Sequence, residues 1–149
     1  MQTFLPYKDF TASAQALDDK RLGKQRVEAF QIQGVLAGLT KGWKHHPAVL
    51  MWEGYEDALA LYGQAICLEW KRRGFEDNLY QNFIVGNQEV VYPSWLGNED
   101  FHISHQSNLI RKNPEHYQLQ FPTVSSDLPY VWPVTIKDIR AKEKLTLIS

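Results

Sequence analysis

Apolar residues fall at helical spacing in two long stretches of the chain, and the first stretch breaks its own pattern. Counting about 100° per residue from Leu22 puts Ala29, Ile32, Val35, Leu36 and Leu39 on one broad face. Glu28 falls inside that face, and Arg21 and Lys24 lie on the same side, one turn apart. The face is apolar in its second half and charged in its first. The spacing predicts a helix from about Asp18 to Leu39, with Asp18 and Asp19 suited to its N-terminus and Gly38 and Gly42 to its end. Tyr55, Ala58, Leu59, Tyr62, Ala65 and Ile66 follow i, i+3, i+4, i+7 spacing more cleanly and predict a second long helix from Tyr55 to Arg72. Lys71, Arg72 and Arg73 complement the dipole at its C-terminus, and Gly74 stops it.

Between and beyond these stretches the pattern is shorter. The first ten residues, MQTFLPYKDF, read as an extended aromatic arm, after which Thr11 or Ser13 starts a short helical turn. Pro47 suits the first position of a short helix, AVLMW. Residues 78–101 are punctuated by Gly and Pro and read mostly as loop, and Ser104 to Asn113 reads as a short helix ended by Asn113-Pro114. Residues 120–135 are irregular, with Tyr130 and Trp132 expected to pack on the body, and a last helix is expected from Ile136 to about Leu145. No repeat or composition shift marks a boundary, so the expectation is one mainly α domain over residues 1–149, compact, with long ordered loops.

At 149 residues and 44% hydrophobic, the chain is long enough to bury a proper core. Its 16 basic and 17 acidic residues nearly cancel, so bulk charge does not advertise a nucleic-acid partner. Anion binding would have to come from local clusters: Lys20-Arg21 with Lys24 and Arg26, Lys71-Arg72-Arg73, and Arg111-Lys112. The single cysteine, Cys67, sits inside an apolar helical pattern and reads as a core residue. One cysteine excludes an internal disulfide and fits a reducing compartment. With neither a long apolar run nor a signal-peptide pattern, a soluble cytoplasmic protein is expected, with no membrane partner.

Two constellations carry candidate chemistry. Lys24 and Glu28 are spaced i,i+4, which makes either a solvated salt bridge or a carboxylate held beside cations for acid–base or electrostatic work. The segment from His102 to Tyr117 is dense in imidazole, hydroxyl, amide and guanidinium groups, the groups that contact phosphates and base edges. The same composition also suits a capped surface helix that satisfies nearby loops. His102 and His105 are spaced i,i+3, but no third ligand has suggestive spacing, so neither a metal nor another cofactor is expected.

Three segments together resemble the pyrimidine-dimer DNA glycosylase family. Leu17-Asp18-Asp19 through Leu22 to Glu28 resembles the family's first helix, which carries its catalytic glutamate. Tyr55 to Leu59, and Cys67 through Lys71-Arg72-Arg73-Gly74-Phe75, resemble its central helix and the end of that helix. Ile103 to Tyr117 resembles its C-terminal helix, which ends in a proline and aromatics. The resemblance implies a small helical enzyme that flips a nucleotide from the duplex and attacks C1′ with an amine. The resulting imine permits β-elimination of the strand, with damaged double-stranded DNA as the partner and no obligate protein partner.

The resemblance places the glutamate at Glu28, which is expected to face a cleft with Arg21 or Lys24 nearby. The amine is expected at Met1, Lys24 or Lys20, or is absent. An α-amino group starts nearer neutrality than a lysine, and the arm around Phe4 to Tyr7 could fold the terminus back onto the first helix. Lys20, Arg21, Arg26, His105, Asn108, Arg111, Lys112 and Tyr117 are the expected nucleic-acid contacts. Two other readings fit the same scaffold: a catalytically silent nucleic-acid or nucleotide-binding module, and an enzyme acting on a small nucleoside-like substrate.

Overall fold

The computed structural model describes residues 1–134, so the helix expected from Ile136 lies outside the described residues. After the arm come α1 (Phe10–Ala16), α2 (Asp19–Leu36), α3 (Pro47–Leu50), α4 (Glu56–Arg72), a 3-10 turn (Tyr80–Asn82), α5 (Glu99–Lys112) and α6 (Pro114–Tyr117). The chain is mainly α, and the described residues contain no strand. Among them no helix is long and apolar enough to cross a membrane.

The boundaries shift from expectation for local reasons. Asp9 starts α1, its carboxylate accepting from the Ala12 N–H at 2.8 Å. In α2 the helix stops at Leu36, three residues early, because Gly38 takes the left-handed conformation (φ 78°). Asp18 stands at the N-cap of α2 but makes no capping bond with its side chain. Its carboxylate instead accepts from the Tyr117 hydroxyl and pairs with Arg21 at 3.1 Å. α5 starts five residues earlier than the pattern suggested, because Asn98 caps it through Phe101 N–H and Glu99 and Asp100 fill its first turn.

α2 packs most extensively against α4, and Leu22, Ala29, Ile32, Leu59, Tyr62 and Ile66 are buried at or near their crossing. Gly23 makes that crossing close: a Cβ there would come within 2.8 Å of the Trp70 ring. Arg73, just past α4, bonds Asp19 at 2.9 Å, Glu69 at 3.1 Å and the Gln15 carbonyl at 3.2 Å. It therefore pins the end of α4 to the turn between α1 and α2. Cys67 is buried in this core, and burial with the nearby Asp77 carboxylate pushes its thiol up to about 12, which leaves it inert at neutral pH.

Candidate active site

The N-terminal arm is where the fold invests its buried polar groups. The backbone groups of Gln2, Phe4, Leu5 and Pro6 have partners from α2, α4 or α5. Gln25 accepts from Phe4 N–H at 3.0 Å through its carbonyl and donates to the Gln2 carbonyl at 2.9 Å through its amide. Tyr62 donates to the Phe4 carbonyl at 2.8 Å, and burial pushes its phenol well above its ordinary range. His105 accepts from Leu5 N–H at 2.8 Å, and His102 Nδ1 lies 2.8 Å from the Leu5 carbonyl. Gln106 donates to the Pro6 carbonyl at 2.8 Å, while Trp52 donates to the Thr3 hydroxyl at 3.1 Å. Buried backbone groups left unpaired cost about as much as a lost hydrogen bond each, so an extended arm enters a core only under such a clamp.

The clamp delivers the terminus onto Glu28. The Gln2 N–H donates to Glu28 Oε2 at 2.9 Å, and Lys24 Nζ stands 3.9 Å from Oε1. Glu28 is 8% exposed, so it is turned inward on the apolar face of α2. Lys24 is open to solvent, with 72% of its side chain exposed. Arg21 turns away to Asp18 and to the Lys112 carbonyl at 3.4 Å.

Around the terminus stands an aromatic wall that sequence reading missed. His46 is close enough to the Met1 amine and to Glu28 to respond to both. Burial lowers its pKa, the positive amine lowers it further, and Glu28 opposes them. Its ring lies edge-on to Trp43 at 5.6 Å and to Trp132 at 5.9 Å. Tyr130 follows Trp132 at 4.6 Å and lies beside the Gln2 side chain, and burial pushes its phenol far up. Two signals were available: Gln25 is an amide on the apolar stripe of α2, and His46 is an unusual residue immediately before a helix-opening proline.

Several expected nucleic-acid contacts lie elsewhere. His105 and Tyr117 are fully buried. The first holds the arm, and the second bonds both the backbone and the carboxylate of Asp18, so neither offers a surface to nucleic acid. Burial holds the His105 pKa well below its ordinary value, with His102 adding to the effect, and burial also lowers that of His102. The two histidines that could have suggested a metal are both committed to Leu5. Arg26 pairs with Asp77 at 2.6 Å, with 12% and 0% of their side chains exposed, and lies over the Trp70 ring. Arg111 donates to the Ser126 and Leu128 carbonyls at 2.7 and 2.9 Å and ties down the following loop. Asn108 is half-buried on α5. Lys20, Lys24 and Lys112 remain exposed, and the Arg21 bond to the Lys112 carbonyl brings the start of α2 to the end of α5.

An inward carboxylate, the chain terminus held beside it and a group of aromatic rings thus come together in one part of the fold. Residues 1–81, more than half of the chain, match the family model described as pyrimidine dimer DNA glycosylase. The chain belongs to that family. The match takes in the arm, α1, α2 and α4, and so carries Met1, Lys24 and Glu28. No curated protein and no solved structure matches the chain.

Proposed function

We propose that this protein is a DNA N-glycosylase with strand-cleaving lyase activity, acting on pyrimidine photoproducts in duplex DNA. The observation that carries the reading is the delivery of the arm: Gln2 N–H bonds Glu28 at 2.9 Å, which sets the Met1 amine one residue from a nearly buried carboxylate. In this reading the Met1 amine attacks C1′ of an extruded nucleotide, and the glycosidic electron pair leaves with the base. Glu28 accepts the surplus proton of the amine and stabilises positive charge on the sugar. The C1′–O4′ bond then opens, O4′ taking the proton held by Glu28, to give the protonated imine, and loss of its C2′ proton expels the 3′ phosphate. Lys24 is the second candidate amine, since its Nζ is 3.9 Å from Glu28, but most of its side chain lies in solvent. Lys20, Lys24 and Lys112 supply the phosphate contacts, with Arg21 between them.

A second reading has its own observation. Arg26 and Arg111 make bonds within the chain, to Asp77 and to loop carbonyls, and the chain carries a net charge of −1, which favours a small nucleoside-like substrate over a duplex. Incision of ultraviolet-irradiated and abasic duplexes, with borohydride trapping and peptide mapping, separates the readings. The expected result is strand incision with a crosslink at Met1. A crosslink at Lys24 or Lys20 reassigns the amine, and neither incision nor crosslink overturns the proposal.

A further inference from the structure

The His46 ring occupies a place that the amine and the carboxylate do not fill. Its Nδ1 accepts the Ala48 N–H at 3.0 Å, capping α3. That bond requires a lone pair on Nδ1, so the neutral ring carries its proton on Nε2. Among the described residues Nε2 has no protein partner. The ring is half-buried and flanked edge-on by Trp43 and Trp132. Trp43 is 61% exposed and is the one described non-glycine residue with positive φ, at 68°. A bulky residue held in that conformation costs free energy, and such strain concentrates where a side chain must be presented. An exposed tryptophan also offers a face on which a base can stack, worth about 1–3 kcal/mol.

We infer that His46 is the hydrogen-bond donor to the departing pyrimidine, with Trp43 and Trp132 forming the walls that hold that base. The inference rests on the glycosylase reading above. When the C1′–N1 bond breaks, its electron pair goes to the pyrimidine, and the charge spreads from N1 to the O2 carbonyl oxygen. The amine nitrogen bonds C1′ and passes its surplus proton to Glu28. His46 keeps its proton throughout: Nε2–H donates to the developing anion, which then takes a proton from water. A neutral imidazole donor of this kind polarises a carbonyl without adding a second positive charge beside the amine. Among the described residues the Met1 amine and Glu28 are the charged groups that act on it, and Tyr130 lies beyond Trp132.

A preformed abasic site has no base to expel, so it separates this role from all others. His46→Asn keeps an oxygen that caps α3 while removing Nε2–H, and His46→Ala removes both. One duplex carries a cyclobutane dimer and another an abasic site. Base release is read as alkali-labile sites, and lyase action as direct scission. The expected result is that His46→Asn loses about 100-fold more rate in base release than in abasic-site incision, the cost of removing one such donor. Equal losses on both duplexes would make His46 a support for the amine and overturn the inference, as would no loss on either. A wild-type protein that cuts abasic sites but releases no base overturns it too, while leaving the amine and Glu28 in place. A wild-type protein inactive on both duplexes overturns the glycosylase reading itself, visible before any variant is made.

Discussion

Two ion pairs start from neighbouring turns of α2 and end in opposite circumstances. Arg26 and Asp77 meet at 2.6 Å with 12% and 0% of their side chains exposed, and Asp77 also accepts Tyr80 N–H at 2.8 Å. Lys24 and Glu28 stand 3.9 Å apart, one partner 72% exposed and the other 11%. The first pair is closely held: Asp77 accepts from Arg26 and from Tyr80 N–H, and Arg26 also reaches the Asn78 side chain. The second is slack, and its carboxylate gives one oxygen to the backbone of the arm and keeps the rest of its capacity. Charge on a core-facing stripe therefore has two uses in one helix. A closely held pair fastens the loop after α4, whereas the slack one leaves a nearly buried carboxylate with hydrogen-bonding capacity unspent.

The comparison predicts opposite outcomes for isosteric and truncating changes. Glu28→Gln keeps shape and a bond to the Gln2 N–H but removes charge. Turnover on photoproduct duplex should fall by about a thousandfold, the scale of a lost acid–base and electrostatic group, while the melting temperature moves little. Incision equal to wild type would remove Glu28 from the chemistry and collapse the distinction between the pairs.

Arg26→Ala should do the reverse. It leaves the Asp77 carboxylate buried without its cation and strips the guanidinium from Trp70. Breaking one side of a buried pair costs about 3–5 kcal/mol, or roughly ten degrees in melting temperature for a chain of this size. Incision per folded molecule should be retained. Thermal denaturation beside active-site titration by borohydride trapping checks both halves, and a melting temperature within a degree or two of wild type would show that the pair is not holding the loop.

Acid should separate the two sides of the helix as well. Burial pushes Asp77 up, but hydrogen bonds from the Tyr80 backbone and from Arg26 outweigh it and hold its carboxyl below the usual range. That pair therefore survives mild acid. His46, His102 and His105 all have lowered pKa values in the folded protein, first by burial. Above about 6.5 they are neutral in both folded and unfolded chains, and the contribution is fully present. As pH falls below that value the unfolded chain takes up protons that the folded one refuses. Stability then drops by up to about 1.4 kcal/mol per pH unit per histidine, until each folded pKa is reached. Melting temperature should fall between pH 7.5 and 5.5, and His105→Gln should flatten the fall. A flat profile over that window would refute the neutral clamp on the arm.

The long helices were legible because their apolar periodicity is local. The start of α5 was not, because its cap, Asn98, follows an aromatic, glycine-bearing stretch that reads as loop. Side-chain direction was less legible still. Arg26 and Arg21 look alike in sequence, and what distinguishes them is Asp77, 51 positions after Arg26. The arm was expected to fold back, yet its clamp residues lie between 21 and 100 positions away. His105 was singled out as a nucleic-acid contact from its residue type alone. Only the fold shows that its partner is Leu5 rather than a ligand.

The smallest expected effect tests whether the slack pair also meets DNA. Each phosphate neutralised adds about 0.9 to the slope of log affinity against log salt. Arg26 is paired with Asp77 and Arg111 is held by loop carbonyls through Nη1, so replacing either should leave that slope unchanged once the protein is folded. Lys24 stands beside Glu28 with most of its side chain in solvent, so its ammonium end is accessible to a phosphate. Lys24→Ala should therefore weaken duplex binding about equally for damaged and undamaged sequence and lower the slope by about one unit. Fluorescence anisotropy across a salt series reads both quantities. A slope lowered by Arg26→Ala but not by Lys24→Ala would mean that the buried pair opens to meet the duplex, and the division of labour along α2 would have to be reversed.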